Sequence, residues 1–362
     1  MTEERKLDHL RICLNEDVES NLVTNGFEDI HFVHRALPEL DKNDIDISTE
    51  FLDHRFEAPV IVEPMTGGEQ SLSKEINAAL ASMVEEAGIG MGLGSQRAAL
   101  EDSSLEETYT IVREKAPTAF LMANIGCTQL LSERGIEYAE RVIEMVDADA
   151  LSIHLNPLQE AIQPEGETYF LGVLQRIRDV VKEVKVPVIV KETGAGIASE
   201  DARKLAEVGV ACIDVAGAGG TSWAAVEHYR AKSNRDELRA KLGKTFWDWG
   251  IPTAICLIEV KQSVSVPVIA SGGIRTGVEG AKAISLGADL VGMALPFLKA
   301  TVKGDVKETL NLFLEELKNV MFLVGARNLE ELRSAPLVIT GKTKVWLNER
   351  GFDTKIYARR SG

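Results

Sequence analysis

Residues 270–297 read ASGGIRTGVEGAKAISLGADLVGMALPF, and they show the unit from which the fold is built. A short apolar run ends in paired glycines, an amphipathic segment follows, and a second apolar run ends in ALPF. This order of strand, glycine turn, helix and strand is typical of a parallel sheet with right-handed crossovers. Glycines after a strand also let backbone N–H groups approach an anion. The stretch therefore predicts a βαβ unit that carries a phosphate site.

The same unit recurs along the chain. Short β-rich runs alternate with longer segments whose apolar residues are spaced by three and four. Eight such units match an α/β fold of the (β/α)8 TIM barrel type better than an open doubly wound sheet. The predicted strands lie in PVIVEPM (59–65), GIGMGLG (88–94), AFLMANIG (119–126), ALSIHLN (150–156), PVIVKET (187–193), VACIDVAG (210–217), PVIASGG (267–273) and ADLVGMA (288–294).

The barrel does not account for the whole chain. We expect an N-terminal extension over residues 1–55, the barrel over 56–335 and a C-terminal tail over 336–362. Residues 305–334 predict a helix followed by a helical cap. Residues 338–352 have mixed strand and loop character, and we assign them no role.

The longest gap between predicted strands holds a long insert after strand six. This insert, 221–252, contains Trp223, Tyr229, Trp247 and Trp249 among many charges. Long loops at the catalytic end of a barrel are often lids. The alternative is an aromatic cluster that anchors the insert to the barrel.

Composition limits the partners. The formal net charge of -16, from 56 acidic and 40 basic side chains, argues against a nucleic-acid surface, so an anionic ligand needs a local cationic pocket. The first residues, MTEERKLDHLRICL, lack the apolar core of a signal peptide, and no later apolar run approaches the roughly 20 residues that cross a bilayer. We expect a cytoplasmic protein with no membrane partner. The four cysteines lie far apart and are predicted to be reduced thiols.

Polar residues at strand ends carry the functional prediction, because chemistry in TIM barrels gathers at the C-terminal ends of the strands. Glycine turns after the adjacent strands six and seven predict a phosphate site, unless these glycines serve only to make tight turns. Polar groups around such a phosphate favour a ring-bearing phosphorylated cofactor, and FMN first among them. The strand-end residues are Met65, Thr66, Gly67, Ser95, Gln96, Arg97, Asn124, Lys191, Gly219, Gly220, Thr221, Gly272, Gly273 and Arg275.

Lys191 is predicted to stabilise the negative edge of a reduced flavin ring, near N1 and the C2 carbonyl. The alternative is a lysine that caps the strand end through a salt bridge, for example with Glu192. Arg5, Lys6 and Arg97 are the candidate cations for a second anion, since arginine offers a fork and lysine a mobile charge. For Arg5 and Lys6 the alternative is a solvated terminus.

The fourth strand ends in HLNPLQE (154–160), which releases His154, Asn156, Gln159 and Glu160 almost together. Mg²⁺ prefers oxygen ligands and is commonly held by one or two carboxylates with substrate phosphates, so Glu160 is the predicted metal ligand. Gln159 would orient a ligand without adding charge, and His154 and Asn156 would line the same mouth. Alternatively, His154 is structural and bonded to the backbone.

Over nearly its whole length the chain resembles the type II isopentenyl-diphosphate isomerases, flavin-dependent enzymes that interconvert isopentenyl and dimethylallyl diphosphate. NPLQEAIQPEGE is the most specific of the shared segments, whereas the glycine motifs occur in many flavin barrels. The segments that carry the resemblance are RKLDHL (5–10), MTGG (65–68), GLGSQR (92–97), NPLQEAIQPEGE (156–167), VIVKETG (188–194), GAGGTSW (217–223), SGGIRTG (271–277) and ALPFL (294–298).

This resemblance implies an isomerase of isoprenoid biosynthesis that uses reduced FMN, Mg²⁺ and NADPH as reductant, and that forms a homotetramer or larger homo-oligomer. It implies that the reduced flavin does the acid–base work. It places catalytic roles on His154, Asn156, Gln159, Glu160 and Lys191, with Mg²⁺ on Glu160. It places FMN against Met65, Thr66, Gly67, Ser95, Asn124, Lys191, Thr221, Gly272, Gly273, Arg275, Ala294 and Leu295, and the diphosphate against Arg5, Lys6, Ser95, Gln96, Arg97 and Gln159.

The sequence departs from the family pattern at Glu63-Pro64, where smaller and less polar residues are expected, and at Ala216, which is serine in many relatives. The main alternative function is an FMN oxidoreductase of the 2-hydroxy-acid oxidase type. Such enzymes place a catalytic histidine and arginine after a late strand, and GAGGTSW (217–223) has neither. An inosinate dehydrogenase would need a cysteine in a comparable loop. A non-enzymatic flavin-binding barrel would have no use for a second anion site.

Overall fold

The protein is a closed barrel of eight parallel strands, seen in a computed structural model that describes residues 2–69 and 71–360. Each barrel strand pairs with the next along the chain, and the eighth pairs with the first. The eight predicted strands and the TIM barrel are confirmed. The strands are β1 (Val60–Val62), β2 (Gly90–Gly92), β3 (Leu121–Gly126), β4 (Ala150–His154), β5 (Val188–Lys191), β6 (Cys212–Asp214), β7 (Val268–Ser271) and β8 (Leu290–Met293).

Helices cover the outside of the barrel. Among the described residues, no helix is both long and apolar enough to cross a membrane. The helices are α1 (Thr2–Asn15), α2 (Leu72–Ala87), α3 (Arg97–Glu101), α4 (Glu107–Lys115), α5 (Cys127–Leu130), α6 (Gly135–Val146), α7 (Pro157–Ile162), α8 (Val173–Glu183), α9 (Ser199–Glu207), α10 (Trp223–Ser233), α11 (Glu237–Thr245), α12 (Thr253–Lys261), α13 (Gly277–Leu286), α14 (Leu295–Lys303), α15 (Val306–Val324), α16 (Leu329–Ser334), α17 (Gly341–Glu349) and α18 (Lys355–Ala358).

Local sequence explains where these helices begin and end. In α2, Ile76, Leu80 and Val84 recur every four residues and are buried against the barrel. This helix ends at Gly88, whose φ of 62° is in the left-handed region. Helix α13 begins with a capping box, in which Thr276 and Glu279 bond each other's backbone N–H groups.

The N-terminal end of the barrel is closed by aromatic residues. A hairpin of two short strands, Thr49–Phe51 and His54–Phe56, brings Phe51 and Phe56 together with Phe120. The Phe51 ring lies 6.0 Å from that of Phe56 and 5.8 Å from that of Phe120, both edge to face. Since this end is filled, the opposite end is left for a site. The four cysteines are free and buried, as predicted.

The two ends of the chain pair with each other outside the barrel. Strand Ile30–Phe32 of the extension runs antiparallel to Leu337–Ile339 of the tail. The strand and loop prediction for residues 338–352 is wrong over 341–349, which form α17. Asp29 explains the helix, because its carboxylate accepts the backbone N–H of Thr343 at 2.9 Å in the first turn of α17.

The long insert forms α10 and α11 and packs against the N-terminal segment. The Trp247 indole donates to the carbonyl of Glu19 at 2.8 Å, and its ring meets those of His228 and Tyr229 edge to face. Trp223 packs in the same way on His9 of α1. These contacts support the aromatic anchor, although the surface it anchors to is the N-terminal segment.

Candidate active site

A cavity of about 220 Å³ opens at the C-terminal ends of the barrel strands. Every barrel strand or the loop after it contributes to its wall, together with α1 and α14. The cavity collects most of the predicted site residues, namely Arg5, Lys6, Met65, Thr66, Ser95, Arg97, Asn124, His154, Asn156, Gln159, Glu160, Lys191, Thr221, Gly272, Gly273, Arg275, Ala294 and Leu295.

Of the residues predicted to contact FMN or the diphosphate, Gln96 and Gly67 do not line the cavity. The Gln96 side chain is fully buried, where it donates to the carbonyl of Val142 at 2.9 Å and accepts the backbone N–H of Asn124 at 2.8 Å. The prediction that the Gln96 side chain contacts the substrate is therefore wrong, and this side chain instead positions Asn124. Gly67 has φ of 144° and lies against the Tyr109 ring, which leaves no room for a Cβ.

The glycine turns after β6 and β7 form one compact surface. Gly272 and Gly273 have φ of 103° and 75°, a region that favours glycine. A Cβ on Gly272 would overlap the carbonyl of Gly217, and one on Gly273 would overlap that of Gly219. The turns therefore touch backbone to backbone, as a phosphate cradle requires, and the N-terminal residue of α14, Leu295, faces the same cavity.

Arg275 lines the cavity, and its guanidinium already forms an ion pair within the protein. Its Nε donates to Glu19 Oε1 at 2.9 Å, and its guanidinium also bonds the carbonyl of Ile274. An anion bound here would share this cation with Glu19, so Arg275 also links the phosphate region to the N-terminal segment.

Lys191 lies between two buried carboxylates. Its Nζ is 3.4 Å from both Glu63 Oε2 and Asp214 Oδ2. Burial opposes its charge, but Asp214 and Glu63 outweigh burial and raise the pKa of Lys191. The suggested salt bridge to the Glu192 side chain is wrong: Nζ bonds the backbone carbonyl of Glu192 at 2.7 Å, while that carboxylate accepts backbone N–H groups of residues 193–196.

His154 is held as a neutral ring. Burial, with the nearby charges of Lys191 and Lys6, lowers the pKa of His154 to about 3. Its Nδ1 is 2.7 Å from Asn124 Oδ1, an acceptor, so Nδ1 carries the proton and Nε2 is left as an acceptor. The alternative, in which His154 is bonded to the backbone, is wrong, because its partner is the side chain of Asn124.

Glu160 is buried and oriented by donors. Oε1 accepts from Asn156 at 2.9 Å, and Oε2 accepts from the Gln163 amide and from the backbone N–H of Glu167, both at 2.6 Å. Glu160 also lines the cavity. Among the described residues, no group of three or more His, Cys, Asp or Glu side chains could hold a metal. Mg²⁺ at Glu160 would therefore draw its other ligands from substrate and water.

Helix α1 places the side chains of Arg5 and Lys6 in the wall of the cavity. Lys6 Nζ donates to the carbonyl of Ser95 at 3.3 Å. Burial, followed by the charges of Arg5 and Arg97, lowers the pKa of Lys6 to about 7. The Nε of Arg5 is buried without a hydrogen-bond partner among residues 2–69 and 71–360. Arg97 is balanced by Glu101 at 2.7 Å and Glu167 at 3.0 Å.

The sequence analysis did not identify His9 and Glu227, a polar pair that holds Gln159 in place. Glu227 of α10 accepts from the Gln159 amide at 3.2 Å and lies 2.9 Å from Nε2 of His9. Arg230 Nη1 lies 3.2 Å from Oε2 of Glu227. His9 follows Arg5 by four residues, a helical spacing that could have placed both on one face. Nothing local in the sequence indicates Glu227, because its contact with His9 spans 218 residues.

The comparisons with known proteins agree with this geometry. The family model described as FMN-dependent dehydrogenase matches residues 3–150 and 156–339. A Pediococcus acidilactici protein described as a lactate oxidase has a TM-score of 0.68 and 18% identity, covering 94% of this chain and 92% of its own. Mandelate oxidase with (S)-2-phenylpropionate has a TM-score of 0.65 and 18% identity, covering 93% and 97%. These structures show the fold, and the family match places the chain among the FMN-dependent dehydrogenases.

Curated relatives identify a more specific family within the FMN-dependent dehydrogenases. The isopentenyl-diphosphate delta-isomerase of Methanothermobacter thermautotrophicus is 55% identical over 100% of both chains. Those of Methanosarcina barkeri and Pyrococcus furiosus are 50% and 49% identical, over 99% and 96% of this chain and 97% and 89% of their own. The chain therefore belongs to the isopentenyl-diphosphate delta-isomerases, and the resemblance seen in its sequence is confirmed.

Proposed function

We propose that this protein interconverts isopentenyl diphosphate and dimethylallyl diphosphate with reduced FMN and Mg²⁺. The observation that carries the proposal is the presence of two anion-binding regions in one cavity. Glycine turns and α14 form the first, and Lys6, Arg97 and Gln159 form the second. The identity of 55% to a named isomerase over the whole chain supports the same reaction.

FMN fits the residues that are present. The backbone cradle at Gly272 and Gly273 suits its phosphate, and Lys191 suits the negative edge of its reduced ring. When bound in its reduced form, FMN supplies the acid–base group for moving the double bond. The protein must then orient the alkene and exclude water from it.

The side chains of this protein divide that work. Arg5, Lys6 and Arg97 bind the diphosphate, and Glu160 holds Mg²⁺ against it. The buried Leu10 adds apolar wall beside the alkene. Because binding energy is gained at the diphosphate, the apolar tail can be held in a fixed orientation without polar contacts of its own.

Three further features belong to the same proposal. NADPH serves as the reductant of FMN, the pathway is isoprenoid biosynthesis, and the protein works in the cytoplasm as a homotetramer or larger homo-oligomer. An oxidase of 2-hydroxy acids shares only the fold, at 18% identity, and the turn after β6 at Gly217–Trp223 lacks the histidine and arginine of that chemistry.

The test is an assay of the purified protein with isopentenyl diphosphate, FMN, Mg²⁺ and NADPH, beside a matched sample without NADPH. We expect dimethylallyl diphosphate only in the reduced sample, without stoichiometric consumption of NADPH. Equal product in both samples would contradict the need for reduced flavin. No product despite a bound-flavin spectrum would favour the oxidoreductase.

The metal ligand is tested by Glu160→Gln. This change removes the charge but keeps the side-chain shape, so we expect Mg²⁺-dependent turnover to fall by roughly a hundredfold with flavin content unchanged. Glu183→Gln, at the exposed end of α8, is the control and should retain full turnover. Turnover by Glu160→Gln with an unchanged Mg²⁺ dependence would remove Glu160 from the metal site.

A further inference from the structure

Three ionisable side chains meet at the inner wall of the cavity, which Glu63 and Lys191 line. Glu63 follows β1, Lys191 ends β5 and Asp214 ends β6. Their exposed fractions are 4%, 6% and 0%. Lys191 Nζ lies 3.4 Å from a carboxylate oxygen of each acid. Glu63 is also where the sequence departs from the expected family pattern, and Gly292 provides its space, since a Cβ there would overlap Glu63 Oε1.

The charges in this cluster do not balance if both acids are ionised. One lysine would then face two buried carboxylates, and a buried charge without a partner is unfavourable. The remaining neighbours do not supply the missing positive charge, because His154 is neutral and Glu192 is itself an acid whose carboxylate accepts backbone N–H groups. One proton on the pair of acids would make the cluster neutral.

Hydrogen-bond partners indicate which acid keeps the charge. Asp214 Oδ1 accepts from the Ser271 hydroxyl at 2.6 Å and from the backbone N–H of Ala216 at 3.3 Å. Among the described residues, neither oxygen of Glu63 and not Oδ2 of Asp214 has a hydrogen-bond partner, and all three are buried. Two of these oxygens, Glu63 Oε2 and Asp214 Oδ2, lie against the same Lys191 Nζ at 3.4 Å.

We propose that Glu63 and Asp214 share a single proton carried by Glu63, which keeps their cluster with Lys191 electrically neutral. Donated from Glu63 to Asp214 Oδ2, this proton gives one unpartnered oxygen of each acid a hydrogen bond. Burial, followed by the charge of Asp214, raises the pKa of Glu63 well above its usual value, and Lys191 opposes this only in part.

The consequence for the cofactor rests on the proposed FMN site. Glu63 is a positioning residue that acts through Lys191, because its neutral state leaves Lys191 balanced by Asp214 alone. Ionised Glu63 would add one negative charge beside Lys191 and so would disfavour an anionic reduced flavin bound there. At alkaline pH this ionisation should lower the midpoint potential of bound FMN.

The shared proton can be tested in flavin-free protein by infrared spectroscopy at neutral pH. We expect a carboxylic-acid C=O band that disappears in Glu63→Gln. The band should also disappear in Asp214→Asn, because Glu63 then faces Lys191 alone and ionises. Glu259→Gln is the control: this acid is equally buried but pairs with Arg350 at 3.1 Å, so the band should stay.

Each outcome decides one part of the proposal. A wild-type spectrum without the band, or a band that survives Glu63→Gln, would overturn the assignment to Glu63. A band that survives Asp214→Asn would overturn the sharing with Asp214, since burial alone would then protonate Glu63.

The effect on the cofactor needs a second measurement, the midpoint potential of bound FMN across pH. Wild type and Glu63→Gln should agree at neutral pH, and wild type should fall below the variant as Glu63 ionises. Identical potentials at every pH would leave Glu63 without influence on the flavin. Neither measurement uses a diphosphate, so a failed isomerase assay would be distinguished from a failure here.

Discussion

Lys6 is the residue whose charge should respond most to substrate. Burial, with the charges of Arg5 and Arg97, lowers its pKa to about 7, so at pH 8 roughly nine-tenths of this amine is neutral in the free protein. A bound diphosphate favours the charged form and raises this pKa again. Binding should therefore take up roughly one proton at pH 8 and almost none at pH 6. Calorimetry in buffers of different ionisation enthalpy measures this uptake.

The matched variant is Lys6→Arg, because a guanidinium stays charged throughout this pH range. We expect the variant to bind diphosphate without proton uptake, so that its affinity changes less between pH 6 and pH 8 than that of wild type. Equal proton uptake by wild type and variant would assign the proton to a group other than Lys6.

Helix α1 is followed by a segment that the long insert holds in place. Asp248 Oδ1 accepts the backbone N–H groups of Asn21, Leu22 and Val23 at 2.8, 2.9 and 3.3 Å. Asp248→Ala should release this segment, speed amide exchange over 21–23 and raise the KM for isopentenyl diphosphate, by roughly fivefold to tenfold for one charged acceptor. FMN content should stay unchanged, because the glycine turns after β6 and β7 that form the phosphate cradle are held by contact with each other and not by Asp248.

Asp236→Ala is the control for this element. Asp236 belongs to the same insert, but its carboxylate accepts the backbone N–H of Arg239 at the start of α11. It should leave both KM and exchange over 21–23 unchanged. If both variants raise KM equally, general loosening of the insert, and not the tether to α1, would be responsible.

Across the molecule, the sequence was sufficient to predict those elements that depend on residues close together in the chain. Strands and helices of the barrel follow from periodicity, and the barrel then brings strand ends such as Asn124 and Lys191 to one mouth. The rest depends on contacts between distant segments. The inward orientation of Gln96 is set by α6, and the Glu63 partners come from β5 and β6. Helix α17 was missed because its cap, Asp29, lies 314 residues away.

That last contact joins the two ends of the chain, and a pair of glycines in the tail tests its contribution to stability. Gly341 and Gly351 have φ of 56° and 82°, so alanine at either should cost about 1 kcal/mol of unfolding free energy through backbone strain. A Cβ on Gly341 would also overlap the Asp29 carboxylate, whereas one on Gly351 meets nothing within 4 Å. Gly341→Ala should therefore lower the free energy of unfolding in urea by about 1–3 kcal/mol more than Gly351→Ala. Equal losses would mean that the pairing of the chain ends does not depend on the Asp29 cap.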